Sequence, residues 1–527
     1  MASVGVVDAA STRKKDPSES KNRPKKFYFG VFFDGTGNNM IQKEAAKAFR
    51  NSQVQTSQSQ PGAKVGTGSV APTADINEDW ETVINQNLNK YGGNVLQEGN
   101  QKADGDYSNV AILHSVYQGL SPEQFQKEQQ IFDVYRYNVY VEGAGMSAIN
   151  EDTKLQKAGN VKGSAFGKGA TGVASLVTKA VNIVKTRLKG FDLSDAEVHF
   201  HVFGFSRGAT CARLFSHLVV RGAGKALPCE SEFKSGDFLH FLDDKTIKSK
   251  TVDFLGIYDT VSSIGSNFDK NVADYGLYSP SEDGVIHTFH LCAMDEFREN
   301  FAITDIGKAA SKGTNAEIYI PGCHSDVGGG YISGRESFFL KYPTNLFIRN
   351  PQSRKGIVME LNSDGEALSV LGWYAKEKSS NTIKNHKLIN KLECGRFVLE
   401  GYNRIPLRMM AERATIDTGS KTFAMEAVNK TRFQFPGGLS KLGAKMVNYS
   451  NTATGRSFYF PQDSNYLYFN LRSQYLHFSS TDETINADDL INSSSIMGPS
   501  RMKNTICRIL YTGNYFSEKK FLCDYNL

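Results

Sequence analysis

The sequence predicts an α/β fold: a mostly parallel central sheet flanked by helices, with insertions and a C-terminal accessory region. Three observations predict it. Short apolar runs alternate with stretches of helical period between residues 27 and 320, a Gly-x-Ser-x-Gly turn joins one such run to a helix, and an Asp and a His follow on later post-strand loops. Phe27 to Phe33 (FYFGVFF) has the length and apolarity of a buried strand and ends in DGTGNN, residues 34–39. Asp133 to Glu142 (DVYRYNVYVE) is a second strand, closed by Gly143-Ala144-Gly145. Val173, Leu176, Val177, Ala180, Val181, Val184 and Leu188 recur at steps of three and four, an amphipathic helix that Gly190 stops. Val198 to Phe203 is a strand and Arg207 to Val220 a helix; further strands span Thr251–Tyr258, Val285–Cys292 and Ala316–Ile320. Strands joined through helices pair in parallel, and catalytic loops then gather at their carboxyl ends.

The 527 residues exceed the roughly 100–200 of an ordinary domain. We read a flexible basic tail (1–26), a core (27–335) carrying a polar insertion (50–106), a second insertion (336–400), and a portion (401–527) that completes the core and forms an accessory region. With 40% hydrophobic and 11% aromatic residues the chain can bury a large core. Thr12 to Lys26 holds seven Lys/Arg against two Asp/Glu, nearly all of the net +6, so the body is close to neutral and is not a nucleic-acid binder. Seven scattered cysteines without a CxxC pair indicate neither a zinc site nor a disulfide framework. No apolar run reaches the roughly 18 residues of a spanning helix, and the N-terminus lacks the features of a secretory signal. Synthesis in the cytoplasm follows.

Gly204-Phe205-Ser206-Arg207-Gly208 sits between a strand and a helix, where a serine must occupy a sharp turn. Gly204, Gly208, Ala209 and Ala212 let the helix approach the strand, the arrangement of a nucleophile elbow in a hydrolase. A serine hydroxyl needs a base, and the base an orienting acid. Asp259, ending FLGIYD, is the acid candidate, and His324, in PGCHSDVGGGY, the base candidate; His477, in YLHFSS, is the rival base and Asp326 the rival acid. His199 and His201 alternate on one strand face and suit packing. The N–H groups of Arg207 and Gly35 are the candidate oxyanion donors, and Asp34 a holder of the Gly35 loop. Gly163-xxx-Gly167-Lys168 is one residue short of a phosphate loop, and Gly169 stands where Ser or Thr would meet magnesium. FDGT is similar to an aspartate-nucleophile phosphatase turn, but Thr36 replaces its second Asp.

FFDGTGNN, GSAFGKG, GFSRGA, FLGIYDTVSSIG and PGCHSDVGGGY occur in the order seen in a family of bacterial and fungal α/β-hydrolases. The chain resembles its first family of type VI secretion lipase effectors, antibacterial phospholipases. That resemblance implies Ser206 as nucleophile, Asp259 as acid and His324 as base, cleaving acyl esters of membrane glycerophospholipids at the first or second carbon with no cofactor or metal. It also implies membrane or substrate binding by the accessory region (401–527), a secretion spike or tube component as carrier, an immunity protein as neutralising partner, and action at the membrane or periplasm of a target cell. A cytosolic esterase for a soluble ester, or a non-catalytic interaction protein on the same fold, are the alternatives.

Overall fold

The computed structural model describes residues 23–38, 107–145, 172–221, 247–264, 284–341, 391–424, 434–459 and 465–479, with short pieces elsewhere (40, 269–270, 277, 372–374, 382–386 and parts of 501–522). Expectations for residues 1–22, for the 50–106 insertion and for 163–171 lie outside them.

Seven strands form the central sheet: β1 (Lys25–Phe33), β2 (Asp133–Val141), β3 (Glu197–Phe205), β4 (Ser249–Tyr258), β5 (His287–Ala293), β6 (Ala316–Ile320) and β7 (Gly455–Phe458). Their order is β7-β6-β5-β4-β3-β1-β2, and every neighbouring pair is parallel. This bears out the α/β expectation, and each expected strand recurs with ends moved by only a few residues.

Strand alternation divides the interior in two. Phe27, Phe29, Val31 and Phe33 of β1 and Val198, Phe200 and Val202 of β3 face helices α2 (Val173–Leu188) and α3 (Arg207–Arg221). Phe32, Phe203 and Phe205 face the other way, toward α1 (Asn109–Ser115), α5 (Arg404–Asp417) and α6 (Ser440–Thr452). Both sheet faces are thus covered, which is why the strands read as continuous apolar runs. Gly190 follows the α2 cap at φ +91°, a conformation costly for other residues, so the helix ends where its apolar stripe does.

Within 336–400 the described residues form a three-stranded antiparallel sheet in the order Gly334–Lys341, Lys391–Val398, Thr382–His386. The chain beyond 401 returns to supply α5, α6 and the edge strand β7. The strand order reverses between β1 and β3, and the carboxyl ends of that pair are where a crevice opens in such sheets. Asp34 follows β1 there and Ser206 follows β3.

Candidate active site

Ser206 stands at φ +61° between β3 and α3, and Asp259 at φ +41° after β4. Among the described residues only Asp195 joins them as a non-glycine at positive φ. Such backbone persists only where surroundings impose it, and it clusters at functional turns. The surroundings are visible: the Ser206 N–H donates to the Tyr258 carbonyl (3.1 Å), and the Ser206 carbonyl accepts from the N–H groups of Ala209 (3.0 Å) and Val261 (3.3 Å). A Cβ on Gly204 would lie 2.4 Å from the Gly208 carbonyl, and one on Gly208 2.3 Å from that of Phe33. The smallness expected at these two positions is therefore required by backbone contact.

The Asp259 N–H donates to Leu291 O (2.8 Å), and its Oδ1 accepts from the Ala293 N–H (2.9 Å). Its Oδ2 lies 2.6 Å from Nδ1 of His324, the first residue of the short helix α4 (His324–Gly328) after β6. That pairing orients the imidazole and leaves Nε2 for proton transfer. The His324 ring lies on Phe205, the residue before the serine, at 4.6 Å between centroids, with Phe301 against it edge-on at 5.2 Å. Ser206, Asp259 and His324 are all buried. Burial is the largest influence on His324 and brings its pKa below the ordinary value, while the hydrogen bond and charge of Asp259 act the other way.

The rival His477 is engaged elsewhere. Its Nδ1 lies 2.7 Å from Asp326 Oδ1, and its ring stacks on Tyr331 at 3.9 Å. Asp326 Oδ2 accepts the Cys323 N–H (2.9 Å), so this carboxylate shapes the His324 loop, and Asp259 is the partner of His324. His199 pairs with Asp253 (2.8 Å) and His201 with the Tyr117 hydroxyl (3.0 Å), the one near the amino end of β3 and the other at its middle.

One expectation is corrected. The Gly35 N–H donates to Asp34 Oδ1 at 2.7 Å, so it is held within its own loop instead of pointing at a developing oxyanion. Asp34 does hold that loop: its Oδ2 accepts the Tyr140 hydroxyl (2.6 Å). A Cβ on Gly35 would meet the Phe205 ring at 2.4 Å, so glycine is needed there for close packing beneath the elbow. Arg207 begins α3, where the first N–H groups of a helix have no partner within it. Its buried guanidinium is brought down by desolvation to a pKa of about 10.

Sequence reasoning missed Glu296 and Arg298, which form a buried, two-pronged ion pair (2.8 and 2.7 Å) beside His324. Glu296 also accepts the His324 N–H at 3.2 Å. An acidic residue just past a strand's carboxyl end was the available signal. His290, Cys292 and Glu317 form a buried group of metal-ligating types, but His290 is already committed: Nε2 accepts the Thr260 N–H (3.2 Å) and Nδ1 faces Glu317 (3.0 Å).

Residues 228–348 match the family model described as the T6SS phospholipase effector Tle1-like catalytic domain. That stretch is similar to the catalytic domain of the Tle1-like type VI secretion phospholipase effectors. The Tle1-like match includes Asp259 and His324, with Ser206 preceding it. Among solved structures the chain is similar to the Tle1 effector bound to the VgrG spike from the type 6 secretion system, with 20% identity over 90% of each chain and a TM-score of 0.45. It is also similar to an uncharacterized protein from Pseudomonas aeruginosa, with 16% identity over 58% of this chain and 42% of that one and a TM-score of 0.27. No curated protein matches it.

Proposed function

We propose that this phospholipase effector works as a serine hydrolase, with Ser206 as nucleophile, His324 as base and Asp259 as the acid that orients it. Ser206 Oγ attacks an acyl ester carbonyl of a glycerophospholipid while His324 Nε2 takes its proton; the same imidazole then protonates the leaving lysophospholipid. Water, deprotonated by His324, releases the fatty acid from the acyl-enzyme. The Arg207 N–H is the first oxyanion donor. The observation that carries this reading is the 2.6 Å Asp259–His324 contact, with the imidazole lying on the ring that precedes a serine at φ +61°. The reading extends to injection into a rival bacterium on a secretion spike, attack on its membrane, and an immunity protein in the producer. No helix among the described residues is long and apolar enough to cross a membrane.

A fluorophosphonate probe is expected to label the wild type and not Ser206→Ala. Mass spectrometry of products from defined phospholipid vesicles is expected to show free fatty acid and lysophospholipid with wild type only. Equal labelling of both proteins, or products unchanged in Ser206→Ala, removes the serine assignment. Cleavage of monomeric esters but not vesicles would move the substrate to soluble esters.

A further inference from the structure

The loop that carries His324 is held from behind by a distant part of the chain, and the hydrogen bonds fall in a regular pattern. Three consecutive backbone N–H groups, those of Gly322, Cys323 and His324, each donate to a different buried carboxylate. Gly322 donates to Asp295 Oδ2 (2.7 Å), Cys323 to Asp326 Oδ2 (2.9 Å) and His324 to Glu296 Oε2 (3.2 Å). Each of those carboxylates also accepts from residues 468–479. Asp295 takes the Tyr468 hydroxyl (2.9 Å) and the Arg472 guanidinium (2.9 Å). Asp326 takes both the His477 N–H (2.9 Å) and its ring Nδ1 (2.7 Å). Glu296 takes the Ser479 hydroxyl (2.8 Å).

The far segment is itself fixed. The buried Arg396 guanidinium donates to the carbonyls of Arg472 and Leu476, and the Phe478 N–H donates to Glu336 Oε1 (2.6 Å). Sharing all three between the histidine loop and one later segment makes the two move as a unit.

We propose that residues 468–479, with His477 at their centre, are a positioning element that sets the place of His324 through the shared carboxylates Asp295, Glu296 and Asp326. The inference rests on His324 acting as the base. His477 touches no reacting atom in this scheme; it acts through Asp326 on the backbone of the loop. A base displaced by a fraction of an ångström slows proton transfer without weakening substrate binding.

The test uses the full chain, a fluorogenic short-chain ester and four variants. His477→Ala is expected to lower kcat by about 10- to 100-fold with KM within about twofold. His477→Asn, whose Nδ2 can donate where the imidazole Nδ1 does, is expected to recover most of that loss. Ser479→Ala removes only one hydroxyl from Glu296 and is expected to lower kcat about threefold to tenfold with the melting temperature unchanged. Fluorophosphonate labelling rates should fall in parallel with kcat. Wild-type kcat in His477→Ala, no advantage of Asn over Ala, or a fall in kcat that only tracks lost folded protein overturns the positioning role. Ser206→Ala, the fourth variant, separates the two levels. If it is inactive while His477→Ala runs at full rate, this inference fails alone. If it turns over like wild type, the serine reading fails and takes this inference with it.

Discussion

At the scale of single residues, the site is governed by what burial does to an imidazole. His324 must be neutral to accept a proton, and burial holds its pKa below the usual 6.5 while Asp259 pulls upward. Protonation below that pKa removes the base, so kcat/KM should stay level above the ordinary histidine range and decline tenfold per pH unit on the acid side. The midpoint is expected under pH 6.5. Asp259→Asn removes an influence that raises the pKa, so its acid limb should shift to still lower pH. The same change should cut kcat about 10⁴-fold, because an amide cannot hold the Nδ1–H tautomer. A pH–rate series on both proteins checks this; a wild-type midpoint above 7, or an Asn variant of near-normal rate, would contradict the assignment.

At the scale of elements, the elbow depends on how closely α3 sits under β1 and β3. A Cβ at position 208 would come 2.3–2.4 Å from the carbonyl oxygens of Phe33 and Asp34, which are backbone and cannot rotate away. Gly208→Ala should therefore push the helix off the sheet, with a stability loss of about 3 kcal/mol or more and a collapse of activity, read from urea unfolding and ester turnover. A stable, active Gly208→Ala would mean the helix is not pinned there. These elements were legible in the sequence because each follows from local pattern: apolar runs for β1 and β3, the three-and-four stripe for α2, glycines flanking Ser206. The Asp259–His324 pairing was legible too, since both lie on post-strand loops of one parallel sheet. The partners of Glu296 were not, because Ser479 is remote in sequence and nothing local in MDEFREN points to it. Gly35 misled for a related reason: glycine announces close approach, but the acceptor of its N–H is decided by the neighbouring Asp34 side chain.

At the scale of the whole molecule, the sheet is completed by β7, which pairs with β6 although it arrives long after it in the chain. That strand brings Arg456 to two buried carboxylates, Glu317 on β6 (2.5 Å) and Asp305 (2.6 Å). Burial opposes ionisation of Glu317, yet His290, Arg456 and the Ile306 N–H together hold its pKa down to about 2. Glu317 in turn orients His290, whose Nε2 accepts the N–H of Thr260 next to Asp259, so the late edge strand supports the turn that carries the acid. Because the folded pKa of Glu317 lies below that of the unfolded chain, its ion pair contributes stability that is complete above about pH 4.5 and is lost as pH falls toward about 2. Arg456→Met keeps the length of the side chain and removes its charge. Discounted for the partly exposed guanidinium, the loss is about 2–3 kcal/mol at neutral pH. The missing cation also lets the folded pKa of Glu317 rise, which narrows the acid window, so the variant should unfold at a higher pH than wild type in an acid titration followed by circular dichroism. Coincident acid transitions for the two proteins would show that β7 closes the sheet without bracing the buried carboxylates.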